Sequence, residues 1–123
     1  MSQSIFFILQ GFSEGGACFA QSDLEKKKIE FLLREVEQLK GAKFWRNGVL
    51  SSPAEATEYL RMKMTWNDRG RPIKTAKDFI ARIGSKSTIT GKSFFIQFDD
   101  GKKMEMKTFL EQKLGEWKEA REN

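Results

Sequence analysis

Lys43-Phe44-Trp45-Arg46-Asn47-Gly48-Val49-Leu50-Ser51-Ser52-Pro53-Ala54-Glu55 sets a hairpin and a helix start back to back. Asn-Gly accepts the positive φ angles of a tight type I′ turn, so residues 43–46 and 49–50 read as the two strands around it. Ser52-Pro53-Ala54-Glu55 is a capping box with proline at the first helical position. Ala56, Tyr59, Leu60 and Met64 then share one helical face, reaching towards Trp66. A hairpin running straight into an amphipathic helix is the local pattern of an antiparallel sheet covered on one face by helices.

The same two patterns recur on either side. Upstream, Ser22-Asp23-Leu24-Glu25 is a second box, and Ile29, Leu32, Leu33, Val36 and Leu39 follow on one face before Gly41. Downstream, Thr75-Ala76-Lys77-Asp78 opens a helix whose inner positions are Ala76, Phe79, Ile80 and Ile83, with Gly84 as the stop. Thr108-Phe109-Leu110-Glu111 reads as a fourth start, with Leu110, Leu114 and Trp117 inward. Phe94, Ile96 and Phe98 alternate to one side before Asp99-Asp100-Gly101-Lys102, and Met104 and Met106 return, which predicts a second hairpin. The expected fold is α+β: four helices and two short hairpins forming one small antiparallel sheet, in a single domain over residues 21–123.

Residues 1–20 have a different character. Ile5-Phe6-Phe7-Ile8-Leu9 is an apolar run, and Cys18-Phe19-Ala20 sets small residues at −3 and −1 of a cut before Gln21. We expect a degenerate or truncated signal peptide, because no Lys or Arg precedes Lys26. The apolar run falls far short of the about 20 residues that a membrane-spanning helix needs. The expected location is periplasmic.

Composition removes several chemistries. The chain has one cysteine and no histidine. Zinc sites rely mostly on those two residues, and Ser–His–Asp or Cys–His catalysis needs an imidazole. No metal, cofactor or catalytic residue is therefore expected. Charge is uneven: residues 43–92 carry eleven basic and four acidic side chains, net +7, whereas residues 93–123 carry net −1. A basic middle segment suits an anionic partner.

Gly91-Lys92-Ser93 superficially matches a phosphate-binding P-loop, but Lys86 stands where that motif requires its first glycine. The loop also follows a helix and precedes a strand, the reverse of the P-loop order. Its hydroxyls are more informative. Ser85, Ser87, Thr88, Thr90 and Ser93 alternate with Lys86 and Lys92, and hydroxyl and backbone donors beside cations can hold an anion. Ser85, Ser87, Thr90, Gly91 and Lys92, assisted by Arg46, are the candidate anion-binding residues. A turn whose hydroxyls satisfy its own backbone would give the same sequence. Arg61 and Lys63, the other cations of the second helix, read as structural, with Lys63 running along the edge of the core. Two alternatives stand beside the binding module. Lys43-Phe44-Trp45-Arg46 interleaves rings and cations as single-stranded nucleic-acid platforms do, although an exported protein would rarely meet nucleic acid. Ser85 or Ser87 with Lys86 or Lys92 would supply a Ser–Lys hydrolase.

Several segments together resemble a known family. Arg46-Asn47-Gly48, Ala54-Glu55-Ala56, Tyr59-Leu60-Arg61-Met62-Lys63, Ile73-Lys74-Thr75-Ala76-Lys77-Asp78-Phe79-Ile80 and Ser85-Lys86-Ser87-Thr88-Ile89-Thr90-Gly91-Lys92-Ser93-Phe94 are similar, in order and spacing, to the YfeK-like proteins. These are small exported bacterial proteins forming a domain of unknown function, and the resemblance covers roughly residues 24–114. It implies a periplasmic setting and carries over no catalytic role. The expected partner, which the residues do not decide, is another protein, an anionic glycan or a lipid head group in the cell envelope.

Overall fold

The computed structural model describes residues 22–67 and 71–122. The expected leader, residues 1–20, lies outside them. Helix α1 spans Asp23–Glu37, strands β1 and β2 span Lys43–Arg46 and Val49–Ser51, and helix α2 spans Pro53–Asn67. A short helix α3, Ala76–Phe79, continues into a π-helical turn, Ile80–Gly84. Strands β3, Phe95–Gln97, and β4, Lys103–Glu105, then lead into helix α4, Met106–Glu122.

Three of the four expected caps form. Ser22 Oγ accepts from Glu25 N, Ser52 Oγ accepts from Glu55 N, and Thr75 Oγ1 accepts from Asp78 N. The box at Ser52 closes reciprocally, because Ser52 N donates to Glu55 Oε1 at 2.9 Å. Glu25 has a second use: its Oε1 accepts from Ala76 N at 2.7 Å, tying α1 to the first turn of α3. The fourth expected cap, Thr108, lies inside α4, which starts at Met106. There the chain passes from β4 straight into the helix, and Met106 N donates to Phe94 O. A sheet neighbour satisfies the free donor that a hydroxyl cap would otherwise take.

The hairpins join into one antiparallel sheet in the order β2-β1-β3-β4. Asn47 and Gly48 both have positive φ, 54° and 81°, as the type I′ turn requires. Phe44 pairs with Ile96 across the two central strands, and both side chains enter the core. Trp45 pairs with Phe95 and therefore lies on the opposite face. Beneath the sheet, Leu32, Leu33 and Val36 of α1 meet Leu60 of α2, Phe79 and Ile83 of the third helix, and Leu110 of α4. Gly84 lets the π-helical turn approach α4 closely: a Cβ there would lie 2.5 Å from Leu110 Cδ1.

Candidate functional site

Arg46 closes β1 just before the type I′ turn. Alternation along the strand sends it to the same side as Phe44, towards α2. Its guanidinium lies over the ring of Tyr59, 4.1 Å from the centroid. Tyr59 in turn meets Phe94 edge-on, with ring centroids 6.0 Å apart, and the Lys63 ammonium lies 4.9 Å over Phe94. Two cations thus bracket two rings, an arrangement that fixes both charges in position.

Arg46, Tyr59 and Lys63 border a cleft of about 560 Å³ between the end of α2, the β1–β2 turn and the loop after the π-helical turn. Arg46, Lys63, Arg71 and Arg82 line it, together with Asn47, Asn67, Tyr59, Trp66 and residues 87–89. No carboxylate belongs to its described lining. The four cations have different duties. Arg82 is saturated: it donates to the Asp78 carboxylate, Asn67 Oδ1, Pro72 O and Arg71 O, and so braces the loop before α3. Lys63 is 3% exposed, and its amine donates to Ile83 O at 3.0 Å and Lys86 O at 2.6 Å. It closes off carbonyls at the end of the third helix, where a cation is favoured. Burial pushes its pKa down to about 8. Arg46 and Arg71 have no carboxylate partner among the described residues. A guanidinium held over a ring can offer its N–H groups to a carboxylate or phosphate with little further ordering.

The candidate residues divide between locations. Ser87 and Arg46 converge on the cleft. Ser87 is 2% exposed, and its Oγ accepts from Asn47 Nδ2, Ile89 N and Thr90 N. Thr90 Oγ1 donates to Asn47 Oδ1 at 2.7 Å and accepts from Lys92 N. Gly91, at φ 75°, donates its N–H to Ser87 O. Much of the hydroxyl chemistry in this loop therefore serves the loop's own turn. Ser85 Oγ is turned back onto Ala81 O. Lys92 lines a separate depression on the outer face of the sheet, beside Trp45, Phe95 and Lys103. No lysine amine lies within hydrogen-bonding distance of the Ser85 or Ser87 hydroxyl among the described residues. Arg61 forms a two-pronged pair with Glu30 at 2.8 and 2.9 Å, which holds the Glu30 carboxyl below its ordinary pKa.

Lys63, read from the sequence as structural along the edge of the core, is a buried strut bonded to two carbonyls; Tyr59, Asn47 and Trp66 were not foreseen as parts of the cleft. The spacing of Tyr59 and Lys63, four apart on one helix face, was the available signal. On the outer sheet face Trp45 Nε1 donates to Gln97 Oε1, and the Lys103 amine lies 5.1 Å over the indole.

A model of a family of unknown function, DUF5329, matches residues 23–118. The chain belongs to that family. The uncharacterized protein YfeK of Salmonella typhimurium is 40% identical to the DUF5329 chain over 70 residues, 57% of each sequence. The chain thus spans a little over half the length of this curated relative. No solved structure matches. The YfeK-like resemblance holds, and it brings no activity with it. Among the described residues of the DUF5329 chain, no helix is long and apolar enough to cross a membrane.

Proposed function

We propose that this DUF5329 chain is a non-catalytic binding module of the bacterial envelope whose Arg46 cleft takes a small anionic group. The observation that carries the reading is the Arg46 guanidinium, stacked on Tyr59 and without a carboxylate partner among the described residues, at the wall of a cleft with no described acidic lining. Arg71 adds a second positive charge, and Asn47 and Ser87 hold the wall in place. The leader-like residues 1–20 support a periplasmic setting. The test is a titration of the 21–123 chain with phosphate, sulfate and acetate, followed by amide and Arg46 Nε shifts. Saturable shifts around Arg46, Tyr59 and Ser87 that vanish in Arg46→Ala are expected. Shifts spread evenly over all lysines would overturn the reading.

A second reading attaches to the outer sheet face. Trp45 and Phe95 are register partners on the two central strands, with Lys92 and Lys103 beside them. Rings on adjacent strands flanked by cations can stack single-stranded bases. Shifts centred on Trp45 with a short oligonucleotide, unaffected by Arg46→Ala, would favour this face.

A further inference from the structure

Ile89 is 92% exposed, and Trp66, which lines the same cleft, is 56% exposed. A lone exposed apolar side chain is ordinary on a protein surface. Ile89 is not ordinary in its support. The loop that carries Ile89 is closely bonded: Ser87 N donates to Lys92 O, Gly91 N to Ser87 O, and Ile89 N and Thr90 N both to Ser87 Oγ. Asn47 clamps the same loop through Ser87 and Thr90. An isoleucine is thus held out in solvent by a rigid turn. Threonines and lysines flank it, Thr88 and Thr90, then Lys86 and Lys92.

The second half of the observation is charge. Arg46 and Arg71 line the same cleft as Ile89 and Trp66, and neither has a carboxylate partner among the described residues. An acidic protein partner would meet the same arginines, and it is one outcome of the test below. A bilayer surface meets all three demands at once. It offers phosphates at the level of the arginines, an interfacial layer favoured by indole rings, and hydrocarbon within reach of a protruding isoleucine.

We propose that this edge of the molecule docks peripherally on an anionic phospholipid membrane. Ile89 enters the acyl boundary, Trp66 lies at the headgroup level, and the Arg46 cleft receives one headgroup phosphate. This rests on the cleft reading above and names the source of its anion.

The experiment uses the 21–123 chain with vesicles of phosphatidylglycerol and phosphatidylcholine in equal parts, against pure phosphatidylcholine. Flotation with the anionic vesicles only is expected. Ile89→Ser and Trp66→Ser should each weaken it roughly tenfold, as loss of one partly inserted apolar side chain implies. Arg46→Ala should weaken it about fivefold, the effect of one cation at such a surface. Ile89 and Trp66 are exposed enough for the variants to fold. Brominated lipid should quench wild-type fluorescence, and Trp66→Phe should remove most of that quenching although Trp45 and Trp117 remain. A parallel titration with glycerol phosphate separates the two readings. Saturable shifts at Arg46 without vesicle binding would overturn membrane docking and leave the cleft reading standing. Failure of both would overturn both. Equal flotation of Ile89→Ser, Trp66→Ser and wild type would reduce the interaction to unspecific charge attraction and sink the proposal. So would saturation of the cleft by an acidic peptide with the vesicles silent.

Discussion

Replacing Lys63 with methionine should cost little stability at pH 7 and a great deal at pH 10.5. Methionine keeps the length and apolar stem of lysine but donates no hydrogen bond. Two carbonyls, Ile83 O and Lys86 O, lose their donor. An unsatisfied buried carbonyl costs about 1–3 kcal/mol, and Lys86 O is only partly buried, so the loss from both is roughly 2–4 kcal/mol. Against this stands the expense of keeping a charge in the interior. A folded-state pKa of about 8 against 10.5 for a free lysine corresponds to about 3 kcal/mol disfavouring the ammonium. Methionine escapes that term. At pH 7 the two effects largely cancel, and Lys63→Met should lie within about 2 kcal/mol of wild type. Between pH 8 and 10.5 the unfolded chain binds the proton that folded Lys63 has released. Wild-type stability therefore rises with pH across this window and falls as pH drops through 8. Methionine has no such contribution. The gap between the two proteins should widen by about 3 kcal/mol from pH 7 to pH 10.5. Urea denaturation of both proteins at four or five pH values measures the gap directly, because every other titrating group is common to both. A gap that stays constant would show that Lys63 keeps its proton with no penalty, and that the burial argument is wrong.

Other consequences follow from the core and the chain start. Ile80→Ala removes a buried side chain from the π-helical turn and should cost about 2–5 kcal/mol; an unmoved urea midpoint would show that this turn does not pack as described. Gly84→Ala forces a methyl against Leu110 and should cost about 1–3 kcal/mol. Combining it with Leu110→Ala should cost less than the two single losses added, and simple additivity in the double-mutant cycle would count against the contact. The native protein, expressed with its full upstream region, should begin at Gln21; intact mass of the periplasmic fraction decides this, and recovery of residues 1–20 uncleaved in the cytoplasm would count against it.

Three helix starts were legible because each is a local affair of a hydroxyl and an amide three residues on. Thr108 misled for the converse reason: at that point the sheet satisfies the first helical amide, through Phe94 O, and nothing nearby in sequence announces it. The type I′ turn was legible from Asn47-Gly48 alone. The π-helical turn was not, since the space it needs is set by Leu110 in a helix that comes later in the chain. The candidate loop shows both situations. Its hydroxyl content was visible, but hydrogen bonding within the turn divided its residues, sending Ser87 to the cleft wall and Lys92 to the other face of the sheet. Arg46 was found in the sequence, while its seat on Tyr59 depended on how α2 crosses β1.

Asn47 answers to two requirements at once, and this narrows what can replace it. The turn alone would accept asparagine, aspartate or glycine, since all three tolerate a positive φ. The link to the loop is stricter, because the Asn47 amide gives a hydrogen bond to Ser87 Oγ and receives one from Thr90 Oγ1. Aspartate lacks the donor and glycine lacks both groups. Substitution by either would preserve the hairpin and unfasten the loop. In Asn47→Gly the hairpin amides should stay slow to exchange while those of Ile89 and Thr90 become fast. The residue next to Arg46 is thus the fastener between two segments forty positions apart in the chain, and a change there would loosen one wall of the cleft without touching the charge in it.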